Sequence, residues 1–189
     1  TTWLLVAGEL PTVELPVDEL RQLARTAPDP EVRSASVWAL GGEVEFLEVR
    51  EAHIRIAAAE AMQRRAESLD GRTKAMLALL LTDERREVRA AAAKTLARTR
   101  DERAVRPLLA AFRRWREPEV ARALGRLRRP EATDALMAVL ATSGPRLHDE
   151  LAVAILDGVA ESEEASRTDS ILLFMSHPTP EVRRAAVRA

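Results

Sequence analysis

The sequence predicts an all-α solenoid of about six helical hairpins. One phrase recurs along the chain, as DPEVRSASVWAL (29–40), AHIRIAAAEAM (52–62), REVRAAAAKTLA (86–97), EPEVARALGRL (117–127) and TPEVRRAAVRA (179–189), with a weaker copy, GPRLHDELAVAIL (144–156). Alignment of the copies places one apolar anchor in a column, at Val32, Ile54, Val88, Val120, Leu147 and Val182. The anchors stand 22, 34, 32, 27 and 35 residues apart. These spacings are irregular, but they centre near the length of a helical hairpin.

Each copy begins like a helix and continues as a buried stripe. Prolines precede the anchor at Pro30, Pro118, Pro145 and Pro180, and proline is favoured in a first helical turn because its missing N–H costs nothing there. Asp29 and Thr179 stand where a side-chain oxygen can cap free N–H groups. Alanines at +3 and +4 and a large residue at +8 complete one apolar face. The phrase therefore predicts the second helix, here called the B helix, of each hairpin.

The first helix of each hairpin, the A helix, is predicted from the apolar residues between the copies. Leu20 and Leu23 mark the first, and the later ones fall near 75–81, 105–112, 136–140 and 171–174. The second hairpin differs because only residues 43–50 remain for its A helix, and Glu43 to Phe46 alternate like a strand. We expect a shortened helix or a loop there.

These residues resemble the HEAT-repeat superfamily, and most closely the bacterial subtype called PBS-lyase HEAT-like repeats. The resemblance is carried by the D-P-E-V-R, P-E-V and A-A-x-x-L patterns and by RAVRPLL (103–109), which is similar to the family's A helix with its early proline. It covers roughly residues 17–189. It implies a right-handed superhelix with A helices outside and B helices along a concave face. It implies no activity, because such scaffolds serve many functions.

An arginine follows the anchor in four copies, at Arg33, Arg55, Arg89 and Arg183. In the superfamily this arginine commonly ties one repeat to an acidic neighbour, so the resemblance implies a structural role. Ala121 and His148 replace it in the fourth and fifth copies. We expect looser stacking there.

Charge is segregated along the chain. Residues 85–129 hold fifteen basic and five acidic side chains, whereas residues 1–70 carry a net charge of −6 and residues 130–189 a net charge of −5. Positions +2, +6 and +10 from each anchor lie away from the apolar stripe. If the B helices line a concave surface, Trp38 stands at one end of it and Asp149 at the other. The basic side chains at its centre are Arg64, Lys94, Arg98, Arg122 and Arg126.

Two interpretations of these cations stay open: a groove for an anionic partner, or a solvated surface whose charges pair locally. Trp38 is either a binding hot spot or a cover for the irregular second hairpin. The groove interpretation predicts a non-catalytic scaffold that binds another protein through an acidic or phosphorylated peptide. The alternative is binding of the DNA backbone, as in the HEAT-like DNA glycosylases that the resemblance brings into consideration.

The sequence offers no constellation for catalysis, for a cofactor or for a metal ion. His53, His148 and His177 are scattered with no H-E-x-x-H motif, and neither a Gly-rich phosphate loop nor a nucleophile elbow is present. The absence of cysteine excludes disulfides and thiolate zinc sites. We therefore expect no enzyme activity and no cofactor.

The organisation of the chain and its location are also expectations. We expect residues 1–16 to be an incomplete N-terminal segment and residues 17–189 to be the repeat domain, truncated at its C-terminus and a module of a larger chain. No apolar run approaches the ~20 residues that a membrane-spanning helix needs. A cytoplasmic location is expected.

Overall fold

The structure is a computed structural model that describes residues 2–3, 14–161 and 169–189. The helices in this part of the chain are α1 (Val17–Thr26), α2 (Pro30–Ala39), α3 (Ala52–Met62), α4 (Gly71–Leu80), α5 (Arg86–Arg98), α6 (Val105–Trp115), α7 (Pro118–Arg126), α8 (Pro130–Ser143), α9 (Asp149–Ala160), α10 (Asp169–Leu172) and α11 (Pro180–Arg188). Short 3-10 turns cover Val44–Leu47, Gln63–Ser68, Glu102–Ala104, Gly144–Arg146 and Leu173–Ser176. Two-residue strands β1 (Thr2–Trp3) and β2 (Glu14–Leu15) pair antiparallel. The predicted all-α solenoid class is confirmed.

The chain forms two compact units, Thr1–Thr95 and Leu96–Ala189, here called unit 1 and unit 2. In unit 1, α1 pairs with α2, the turn Val44–Leu47 pairs with α3, and α2 packs on α3. In unit 2, α6 pairs with α7 and α8 with α9, while α9 packs on both α7 and α11. The predicted division at residues 16 and 17 stays a prediction, and much of its N-terminal segment lies outside the described residues.

Three of the four predicted proline starts are confirmed. Pro30, Pro118 and Pro180 are the first residues of α2, α7 and α11. Asp29 caps α2, because its carboxylate accepts a hydrogen bond from the N–H of Glu31 at 2.8 Å. Thr179 precedes α11 without capping it, since its hydroxyl donates to Asp149 instead.

The alignment of the fifth copy is wrong. Gly144, at a φ of 56°, ends α8, and Pro145 lies in the 3-10 turn that follows rather than in a B helix. The B helix therefore starts later, at Asp149, and the supposed anchor Leu147 precedes it half-buried. The buried stripe of α9 begins at Leu151. Gly144 and Pro145 thus belong to the turn between α8 and α9. In the other copies that contain this proline it begins the B helix, so the alignment of the repeats placed this helix start too early.

The shortened A helix of the second hairpin is confirmed as the 3-10 turn Val44–Leu47, with Phe46 and Leu47 buried. Gly41 and Gly42, at φ values of 76° and 72°, end α2 just before it. A Cβ on Gly42 would lie 2.3 Å from the carbonyl oxygen of Ala58 in α3. Only glycine lets the backbone at this position lie so close to α3. Because Gly42 forms this close contact, few residues remain for a longer helix before α3 begins.

The core consists of the predicted apolar stripes. The anchors Ile54, Val88, Val120 and Val182 are buried, as are the A-helix residues Phe112 and Phe174. Val32 is half-buried. In unit 1 the fully buried Thr95 of α5 lies with its hydroxyl 2.7 Å from the carbonyl oxygen of Ala59 in α3. A polar contact therefore fixes α5 against α3 inside an otherwise apolar layer.

The loose stacking expected at the fourth and fifth copies is wrong. A Cβ on Gly125 of α7 would stand only 2.2 Å from the Cα of Gly158 in α9. The two backbones are therefore nearly in contact, and Ala121 adds to this close approach because its carbonyl oxygen is 3.3 Å from a Cβ built on Gly158. Small residues replace the arginine as the stacking device in these two helices.

Candidate partner-binding site

The predicted basic side chains all reach solvent, but their surroundings differ. Arg64, Lys94, Arg98 and Arg126 are exposed and Arg122 is half-buried. Lys94 and Arg98 stand one turn apart on α5, as do Arg122 and Arg126 on α7. Arg64 lies in the turn after α3 and Trp38 in α2. The structure thus confirms the exposure that the periodicity predicts, while the function of these residues stays a prediction.

Trp38 and Arg64 form a local pair. The Trp38 side chain is exposed (46%), and the Arg64 guanidinium carbon lies 3.8 Å from its ring centroid, within cation–π distance. Arg64 also donates to the carbonyl oxygen of Trp38 at 2.7 Å. Arg65 donates to the carbonyl oxygen of Gly42 at 2.8 Å. These arginines satisfy carbonyl groups at the end of α2, a structural role that sequence reasoning missed.

On α7 packing determines which side chains face solvent. Val120, Ala121, Ala123, Leu124 and Gly125 are buried. Because these residues occupy the packed faces, Arg122 and Arg126 are left on the open face, separated by four positions. Within the described part of the chain, neither guanidinium has a hydrogen-bond or ion-pair partner, and the same holds for Lys94 and Arg98 on α5.

Cations on the last B helix are paired, in contrast. Arg188 of α11 donates to Asp157 of α9 at 2.6 Å, and Arg184 donates to Glu181 at 2.6 Å. Asp149 accepts from the Thr179 hydroxyl and lies 3.9 Å from the buried His177. Asp149 and Asp157 of α9 are thus occupied by neighbours from the following hairpin. This end of unit 2 fits the interpretation of local pairing.

The arginine that follows the anchor has the structural role that the resemblance implies. Arg55 donates to Asp83 at 2.9 Å, and Arg33 forms an ion pair of 3.5 Å with Glu51. A second contact was not foreseen: Arg55, Arg89 and Arg183 each donate to the carbonyl oxygens six and five positions earlier. The arginine therefore closes the turn between the A and B helices of its own hairpin.

His177 has the surroundings of a structural residue. His177 is buried and accepts a hydrogen bond at Nδ1 from the N–H of Thr179, while its Nε2 lies 3.2 Å from the carbonyl oxygen of Pro145. These contacts require the neutral tautomer with the proton on Nε2. Among the described residues, no group of three or more His, Asp or Glu could hold a metal ion.

Asp70 and Arg21 have shifted pKa values, and both lie in unit 1 outside the predicted groove. A hydrogen bond from the backbone N–H of Thr73 lowers the pKa of Asp70, the residue that caps α4. Hydrogen bonds to Glu43 raise the pKa of Arg21 above its ordinary value. Both shifts reflect contacts that stabilise the fold.

No helix among the described residues is long and apolar enough to cross a membrane. Location in the cell stays a prediction.

Comparison with known proteins gives the same picture of the fold. Residues 76–156 match the family model described as HEAT repeats. No curated protein matches the chain. One crystal structure of an engineered protein is 20% identical with a TM-score of 0.55, over 92% of this chain and 94% of that one. A second engineered protein is 18% identical with a TM-score of 0.60, over 93% and 97%. At these identities the likeness shows the fold alone.

The family match and the fold agree with the pattern on which the sequence analysis rests. The PBS-lyase subtype stays a prediction. Residues 76–156 are therefore similar to HEAT repeats, and this match supports the HEAT-repeat superfamily for the chain.

Proposed function

We propose that this chain is a non-catalytic helical-repeat module that binds an acidic or phosphorylated segment of another protein. The observation that carries the proposal is the availability of Lys94, Arg98, Arg122 and Arg126, which reach solvent without a partner in the described part of the chain. Guanidinium groups bind carboxylates and phosphates through charge-assisted, often bidentate, hydrogen bonds. Unpaired cations on two B helices are suited to that task.

Arg64 and Trp38 have a smaller part in this proposal than the sequence suggested. The Arg64 guanidinium is already stacked on Trp38 and bonded to its carbonyl oxygen. A ligand that bound the Arg64 guanidinium would have to replace both the stacking on the Trp38 ring and the hydrogen bond to its carbonyl oxygen. The pair therefore offers a ready aromatic–cation surface for additional contacts, while the main electrostatic attraction comes from α5 and α7.

The DNA backbone is the alternative ligand, favoured by the net charge of +10 over residues 85–129. A direct comparison of two probes separates the hypotheses. We suggest fluorescence anisotropy with a labelled peptide of about ten glutamates and with a labelled duplex of about 20 base pairs, a length typical of DNA sites. Each titration is run at low and at physiological salt.

The expected result is saturable peptide binding that is about thirtyfold weaker in an Arg122→Glu/Arg126→Glu variant, because each of the two lost charge-assisted bonds contributes roughly 1 kcal/mol. Arg184→Glu/Arg188→Glu is the matched control with the same charge change, since both of its arginines are already ion-paired. We expect the control to bind almost as tightly as the unchanged protein. Tighter binding of the duplex than of the peptide, or equal losses in the two variants, would overturn the proposal.

A further inference from the structure

A second basic surface lies in unit 2, on the side of the A helices. A cleft of about 1050 Å³ opens between α6 and the first turn of α8. Its basic lining residues are Arg103, Arg106, Arg113 and Arg129, and its acidic ones are Glu102 and Glu131. All six side chains are exposed. The cleft thus carries a net charge of +2 and is separate from the B-helix residues that the proposed function uses.

One wall of the cleft is a continuous face of α6. On α6, Arg106, Leu109, Ala110 and Arg113 follow one another at i, i+3, i+4 and i+7, so they share one face of the helix. The opposite face is fixed in the core by Leu108, Ala111 and Phe112. Two guanidinium groups, two turns apart, therefore flank an apolar step formed by Leu109 and Ala110.

The second wall comes from the start of α8. Arg129 is the residue before α8, whose first turn contains Pro130 and Glu131. Arg129 lies 4.0 Å from Glu102, at the outer limit of an ion pair. Arg103 is placed on the rim by the 3-10 turn that Asp101 caps, through a hydrogen bond of 3.0 Å to the N–H of Arg103.

Most of the arginines that line the cleft are not paired with a described residue. In the described part of the chain, the side chains of Arg103, Arg106 and Arg113 have no hydrogen-bond or ion-pair partner. These three arginines line the same cleft as the apolar residues Val105, Leu109 and Pro130, which form its floor. A ligand that satisfies this lining must be anionic and must also bring an apolar group to the floor.

The lining also distinguishes between classes of ligand. Proteins that bind single-stranded nucleic acid use aromatic side chains on which bases stack, and the lining residues include no aromatic one. Glu102 and Glu131 would repel a continuous phosphate backbone, whereas a peptide can place its own basic or neutral residues beside them. The positive charge of the arginines and the apolar floor together favour a peptide in which acidic and apolar residues are neighbours in sequence.

We propose that the cleft between α6 and α8 is a second binding site, for an acidic peptide segment that inserts an apolar side chain between Arg106 and Arg113. The carboxylates of the segment pair with these two arginines and with Arg103, and the inserted side chain packs on Leu109. The site does not depend on the cations of α5 and α7.

NMR titration of the whole chain tests this site separately from the B-helix site. The probes are a peptide of about ten residues with alternating glutamate and leucine, a glutamate-only peptide of the same length, and a DNA duplex. The expected result is that the glutamate–leucine peptide shifts the signals of the Leu109 methyls and of the amides of 102–110 and 129–131, prolines excepted. It should bind there about tenfold more tightly than the glutamate-only peptide, as burial of one leucine side chain provides.

Variants identify the residues responsible. Arg106→Glu/Arg113→Glu should abolish the shifts at the cleft, while the matched Arg122→Glu/Arg126→Glu variant should leave them unchanged. Leu109→Ser should remove the preference for the leucine peptide and keep binding of the glutamate-only peptide. Circular dichroism confirms that each variant is folded. Shifts that are absent from the cleft, that persist in Arg106→Glu/Arg113→Glu, or that the duplex produces at lower concentration would each overturn the proposal.

Discussion

The two compact units stabilise similar helical hairpins in different ways. Unit 1 uses its arginines internally: Arg21, Arg33 and Arg55 bind acidic residues, and Arg64 and Arg65 bind backbone carbonyl groups. In unit 2 Arg183 and Arg188 of α11 are used in the same way, but the close approach of Gly125 and Gly158 joins α7 to α9 without any such contact. Many of its arginines therefore remain available, at Arg98, Arg103, Arg106, Arg113, Arg122 and Arg126. An arginine count alone cannot distinguish these two uses.

Ligands are expected where arginines are not already bound to other groups of the protein. Arginine bound to a turn carbonyl or to a buried carboxylate has little energy to gain from a partner, because the existing bonds must first be broken. An unpaired arginine on a packed helix gives up only its hydrogen bonds to water when it binds a ligand. We therefore propose that ligands bind to unit 2 and to the last part of α5, although unit 1 contains its own regularly spaced arginines.

The largest expected effect concerns the glycine contact of unit 2. Gly125→Ala should lower the free energy of unfolding by about 3 kcal/mol, because the new methyl group forces two helix backbones apart. Gly71→Ala is the matched control, since a Cβ on Gly71 meets nothing within 4 Å. Urea denaturation measures both. Equal stability of the two variants would contradict the close approach of α7 and α9.

The corresponding contact in unit 1 is the buried pair of Arg55 and Asp83, whose side chains are only 14% and 9% exposed. Arg55→Ala should cost about 3 kcal/mol or slightly less, since it leaves a carboxylate and two carbonyl groups without their donor. The exposed pair of Arg25 and Glu45 is the control, and Arg25→Ala should cost less than about 1 kcal/mol. Similar losses in both variants would show that burial does not distinguish the two pairs.

The buried hydroxyl of Thr95 gives a smaller effect. Thr95→Val keeps the shape but removes the donor to α3, so we expect a loss of about 1 kcal/mol in thermal or urea unfolding. Thr142→Val removes an exposed hydroxyl that is bonded within its own helix and should change stability very little. A neutral Thr95→Val would mean that the contact between α5 and α3 is purely apolar.

A stabilising change is expected at the end of α7. Arg128 follows the helix at a φ of 49°, a left-handed conformation that favours glycine. Arg128→Gly should therefore raise the free energy of unfolding by about 0.5–1 kcal/mol. Arg126→Gly, two positions earlier and at the last residue of the helix, should lower it by about 0.5 kcal/mol. Destabilisation by Arg128→Gly would show that its side chain contributes more than its backbone costs.

The smallest effect is a dependence on pH at the start of α4. The folded protein lowers the pKa of Asp70 below its unfolded value, so the stabilising contribution is complete above the unfolded pKa and is lost as the pH falls through the folded one. Asp70→Ala should be less stable than the unchanged protein at neutral pH, and the gap should shrink as the pH falls below about 4. Urea denaturation across this range checks it, with Asp134→Ala as the control. A gap that does not change with pH would contradict the role of the ionised cap.

The repeated phrase by itself determined the class of fold. Anchors, alanines and starting prolines recur with helical spacing, and burial of these stripes requires neighbouring helices, so the hairpins could be predicted from local pattern. The exposure of Trp38, Lys94, Arg98 and Arg126 followed from the same periodicity. The short turn at Val44–Leu47 was foreseen because too few residues remained for a helix.

Only the tertiary structure decided which arginines are free. Whether a guanidinium meets a carboxylate, a carbonyl group or water depends on residues distant in sequence, such as Asp83 for Arg55, 28 positions away, and Trp38 for Arg64, 26 positions away. Backbone approach is equally invisible in sequence: Gly125 and Gly158 lie 33 positions apart, and their contact replaced an expected weakness with tight packing. Periodicity determines which face of a helix is polar, and the packing of distant segments determines what that face touches.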